Sequence, residues 1–293
     1  MDRSSARAAP RLRHTTARAS AVLVVVAACL VLSPTAGAQD APDASTGAVA
    51  PPTLADAQSL FYRGRYEEAA AVALAGRPAD TTDPAHDELR SSALLFQLKR
   101  LLEGPQKTAL KACKACPDLI AAFMLDVRRG QALARARLKV EPGDDEALFF
   151  LGKLDLNYVW LVLGPLRKRT GWDEYWEARR SLDAVLARNP NHTRARVARA
   201  WIDYIVDTRM PWGTRWVLGG GNRKKALSEV RAAVARPTDF FTHAEATFAL
   251  WDMHVRERDL AAATEVAREL ARQFPDNRDV AAFLEARQLD ASR

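Results

Sequence analysis

The sequence predicts an all-α protein: a solenoid of stacked antiparallel helix pairs over residues 54–290, roughly five to six of them, ended by a C-terminal capping helix. Three observations carry that expectation. Apolar residues return at every third and fourth position through 172–188, 223–235, 240–255 and 260–274, the period of amphipathic helices. Proline turns of one chemistry recur down the chain. Long alternating runs of β-branched residues are missing, so no sheet is expected.

The chain opens on an export signal. Arg3, Arg7, Arg11, Arg13 and Arg18 form a positive stretch, and an apolar run follows at 21–32. That run is shorter than the ~20 residues a membrane-spanning helix needs. Ala36-Gly37-Ala38 before Gln39 is the small-x-small pattern of a cleavage site. Residues 1–38 therefore read as a signal peptide, and the protein as periplasmic or secreted. Val26-Ala27-Ala28-Cys29 also fits a lipidation pattern. Leu30-Val31-Leu32 carries the apolar run past Cys29, which favours soluble release over lipid anchoring there. No later segment is apolar enough to span a bilayer, so no transmembrane helix is expected after cleavage. Residues 39–53, rich in Ala, Pro, Asp, Ser and Thr, read as a disordered spacer. Of the formal net charge of +7, the first 38 residues supply five Arg and one Asp. What remains is nearly balanced and interleaved, as on solvated helices, so nucleic acid is not an expected partner.

The turns Glu141-Pro142-Gly143-Asp144, Asn189-Pro190-Asn191-His192, Arg236-Pro237-Thr238-Asp239 and Phe274-Pro275-Asp276-Asn277 each stop a helix with Pro. Each then offers Asn or Asp to cap the next one. Their prolines lie 48, 47 and 38 residues apart. Small or apolar residues precede them at matched positions: Ala178, Leu182 and Val185 before Pro190, and Ala263, Ala267 and Leu270 before Pro275. Leu151-Gly152 follows Pro142 at the place of a first-helix Leu-Gly, and 60–70 holds a Gly64 turn between two helical patterns. On these residues the chain resembles the tetratricopeptide repeat family, of an exported bacterial type, across most of 54–290. It departs after Pro190, where Arg199 stands at the Leu position. The resemblance implies a right-handed solenoid with a partner-binding inner groove. Its last helix, 276–289, would cap the array with Glu285, Arg287 and Asp290 facing water. Gly220-Gly221-Asn222-Arg223-Lys224-Lys225-Ala226-Leu227 is similar to a stretch in periplasmic tetratricopeptide components of TRAP-class solute transporters.

Chemistry is sparse. Cys113-Lys114-Ala115-Cys116 lacks the following His of haem attachment, since Pro117 stands there, and a second pair for structural zinc. In an oxidising compartment it reads as a disulfide candidate, either a formed local bridge or a labile thiol pair near a helix end. The run Gly219-Gly220-Gly221 lacks the strand and the Gly-Lys-Ser/Thr ending of a phosphate loop; it reads as a turn into a helix capped by Asn222. No nucleophile–base motif is legible, so neither catalysis, metal nor cofactor is expected.

The informative irregularity is length. The repeats ending at Pro190 and Pro237 exceed the 34-residue unit by about 14 and 13 residues, and the excess falls at 163–172 and 209–221. Insertions at equivalent places in stacked repeats emerge on one side, often the binding side. Both combine Trp with Arg, residue types that dominate interfaces. The expected partner-binding residues are Arg167, Arg169 and Trp172 in the first, and Trp212, Arg215 and Trp216 in the second. Trp201 and Tyr204 are expected to line the groove. The competing expectation is that these tryptophans tuck back as core under long loops. The function expected is an exported scaffold or adaptor for a protein or envelope component. Its alternative is a carrier holding a small solute in a Trp-lined pocket under the same loops.

Overall fold

A computed structural model describes residues 52–103, 110–166, 168 and 170–291, all within one compact unit. The expected signal peptide with Cys29, and all but the end of the expected spacer, lie outside the described residues, as do Arg167 and Arg169. The described chain is all-α, with twelve α-helices. They are α1 (Leu54–Tyr62), α2 (Tyr66–Ala75), α3 (Ala85–Glu103), α4 (Cys116–Val140), α5 (Asp145–Leu163) and α6 (Trp172–Arg188). There follow α7 (Thr193–Arg209), α8 (Trp212–Val217), α9 (Arg223–Val234), α10 (Phe240–Glu257), α11 (Leu260–Gln273) and α12 (Arg278–Ala291).

The helices begin where side chains satisfy their free amides. Thr53 and Asp56 form a reciprocal capping box on α1, which draws Thr53 out of the expected spacer and into the fold. Asp144 caps α5, Asn222 caps α9 and Asp239 caps α10, as the turn chemistry predicts. Asn277 accepts from the Asp279 and Val280 amides at the start of α12. One turn differs from expectation. His192, not Asn191, caps α7, its Nδ1 accepting from the Ala195 amide at 3.1 Å. Asn191 instead holds Arg236 across to the next turn.

Packing runs from each helix to the next along the chain, α8 aside. Ala178, Leu182 and Val185 put one face of α6 into a core shared with α5 and α7. A second cluster joins α2, α3, α4 and α5, and a third joins α7, α9 and α10. A Cβ on Gly152 would meet Leu182 Cγ at 3.0 Å, so the glycine lets α5 and α6 approach closely. Gly64 sits at φ +73° between α1 and α2, a conformation that favours glycine.

The first helix also meets the last ones. The Tyr62 ring stacks on Phe241 and Phe248, with centroids 6.1 and 5.6 Å away, and tilts against Phe274. Asn277 donates to the Tyr62 carbonyl at 2.7 Å, and Arg100 bridges the Gly64 carbonyl to Asp279. Nothing in the repeat pattern announces this contact.

Candidate binding surface

The second insertion is not a loop throughout. Pro211 stands at the cap position of α8, and the helix carries Trp212 and Trp216 four residues apart, hence on one face. Trp212 is 87% exposed and Trp216 86%, so neither tucks back as core. The opposite side of α8 is fastened. Arg215 turns inward, donating to Asp207 Oδ1 at 2.7 Å and to the Met210 carbonyl at 2.9 Å. Leu218 is buried, and its carbonyl accepts from the Tyr175 hydroxyl and from Arg179. Arg179 also donates to the Gly219 carbonyl. A helix of six residues has no stability of its own. These bonds to α6 and α7 hold it in place with both indoles outward.

The same bonds bring the two insertions together. Tyr175 and Arg179 lie in the first turns of α6, whose first residue is Trp172 from the other insertion. Trp172 is 45% exposed. Leu166 of that insertion packs on the cluster holding Cys113 and Cys116, which form a disulfide at the start of α4. The connections before α6 and before α9 therefore meet at one end of the unit.

The expected groove residues sit elsewhere. Tyr204 is 1% exposed, and its hydroxyl donates to Glu257 Oε1 at 2.9 Å. It is a core residue, because α7 buries two faces and Tyr204 falls on the one turned to α9 and α10. Trp201 is half-buried beside it, with the Arg256 guanidinium 5.5 Å from its ring centre.

A charged cluster not legible in the sequence links α3, α5, α7 and α10. Lys153 on α5 and Arg194 on α7 both hold Glu245 on α10, at 2.7 and 2.6 Å, and both approach Glu88 on α3 at 3.7 and 3.6 Å. Phe149 lies flat under Arg194. Burial works against the Glu245 carboxylate, but the two cations win and hold its pKa at about 2. The same carboxylates raise Lys153 and Arg194 against burial. Interleaved charge thus does not mean solvated charge here: Asp87, Glu88, Asp126 and Asp155 are all buried. Asp87 and Asp126 accept from Arg77, Arg90 and Arg129.

No family model, curated protein or solved structure matches the chain.

Two hollows flank the helices. One of about 290 Å³ is lined by Phe149, Phe150, His192 and Arg194; the other, about 270 Å³, by Arg196, Arg199, Asp203 and Lys225. No tryptophan lines either. Among the described residues, no three His, Cys, Asp or Glu side chains group as metal ligands, and no helix is long and apolar enough to cross a membrane.

Proposed function

We propose that this chain is an exported, tetratricopeptide-like helical-repeat adaptor that holds an envelope component on the end bearing α8. In this reading α1 and α2, α3 and α4, α5 and α6, α7 and α9, and α10 and α11 are five stacked pairs, with α12 as the cap. Sequential packing and the capped proline turns support it.

The observation that carries the binding role is the pair of outward indoles on a fastened helix. Exposing two Trp side chains is costly in water and contributes nothing to the fold, whereas a rigid aromatic pair is what an interface uses as its anchor. Binding then belongs to the end of the helix pairs rather than to an inner groove, since Tyr204 is core and the clustered charges neutralise one another. The solute-carrier alternative needs a pocket walled by these tryptophans, and their exposure argues against it.

The test is co-sedimentation with native envelopes. Trp212→Ala with Trp216→Ala should abolish it while leaving the melting temperature within about 2 °C, because exposed side chains carry under about 0.5 kcal/mol each. Undiminished co-sedimentation of the double variant would end the adaptor reading at this surface.

A further inference from the structure

Charge around α8 is one-sided. Between Asp207 and Glu229 the chain has Arg209, Arg215, Arg223, Lys224 and Lys225 and no acidic residue. Arg209, Arg223, Lys224 and Lys225 are exposed. The other insertion adds an exposed Lys168 and, where it enters α6, the part-exposed Trp172 followed by the exposed Asp173.

We propose that the α8 end docks on an anionic lipid surface, with Trp212 and Trp216 at the headgroup level and the surrounding lysines and arginines over acidic headgroups. This rests on the adaptor reading and names its partner. Indoles suit the membrane interface because the ring is apolar and its N–H is polar. Each basic side chain near an anionic leaflet adds attraction that salt screens. Neither signal anchors a protein alone, whereas apolar insertion and a basic patch together do. A protein interface would call for acids interspersed with the bases to fix register; the acid-free run from Arg209 to Lys225, with both indoles inside it, fits a laterally uniform negative surface.

The experiment incubates the full chain with vesicles of about one-third phosphatidylglycerol in phosphatidylcholine, and with phosphatidylcholine alone, at low salt and at about 0.5 M salt. Binding is expected to the anionic vesicles only, with a blue shift of tryptophan emission. Trp212→Ala with Trp216→Ala should weaken it at least about tenfold, as should Lys224→Glu with Lys225→Glu, and salt should reverse what the basic patch contributes. Equal binding to both vesicles, or binding blind to the tryptophan substitutions as the apolar run at 21–32 would give, overturns the proposal. If vesicles are ignored while native envelopes still take up the protein through Trp212 and Trp216, the occupant is a protein; the lipid inference falls and the adaptor reading stands. If neither surface depends on these tryptophans, both fall.

Discussion

Asp155 sits on α5 with a fully buried carboxyl. Gln131 donates to Oδ1 at 2.6 Å, and Oδ2 has no hydrogen-bond partner among the described residues. Burial first, then the nearby Glu177, pushes its pKa up to about 8. The folded protein therefore keeps a proton that the unfolded chain releases near pH 4. Its stabilising share is complete below about pH 4 and is lost as pH rises toward about 8. Asp155→Asn keeps the acceptor for Gln131 and removes the ionisation. The variant should match the wild type near pH 4 and exceed it at pH 8, on the order of 1–3 kcal/mol, in melts across that range. A constant difference at every pH would show that burial of the charge is not the cause. Sequence gave no warning of this acid, nor of Glu88, Lys153, Arg194 and Glu245. Those four come from separate helices, so no local spacing joins them, and each alone reads as an ordinary surface charge. The burial of Tyr204 is hidden in the sequence for a related reason: on a helix buried on two faces, periodicity does not say which aromatic faces out.

Among elements, α6, α9, α10 and α11 are legible because an apolar stripe must return every three or four residues to be buried, whereas the longer α3 and α4 show no such stripe. The caps were legible because few side chains can satisfy free amides. The helix α8 was not. Six residues containing Gly213 hold less than two turns of pattern, and its stability comes from Arg215, Tyr175 and Arg179, none of which signals a helix. Its tryptophans have two possible fates on sequence alone, core or surface, and their exposure decides for the surface. The Cys113–Cys116 disulfide stands at another element boundary, Cys116 being the first residue of α4. It closes a loop of only four residues, so loop entropy gives about 2 kcal/mol or less. Reduction should lower the melting temperature by about 4–8 °C and loosen amide protection at the start of α4, leaving the rest helical. Loss of all helical signal on reduction would mean that the bridge is required for the fold as a whole.

At the scale of the molecule, the contact of α1 with α10 and α12 changes how stability should be shared. In an open array each repeat touches only its neighbours, and damage at one end stays there. Here Tyr62 lies against Phe241, Phe248 and Phe274, while Asn277 and Asp279 reach back to Tyr62 and Arg100. Residues more than 170 positions apart in sequence thus hold one another. Tyr62→Ala removes the ring at this junction and should cost about 3 kcal/mol, within the range for large aromatic truncations. The distribution of that loss is the decisive reading. Amide exchange in α10, α11 and α12 should quicken by about a hundredfold, the factor that about 3 kcal/mol corresponds to, and urea unfolding should remain a single transition at lower midpoint. Acceleration confined to α1, α2 and α3 would show that the two ends only touch, and that the chain behaves energetically as an open stack of pairs.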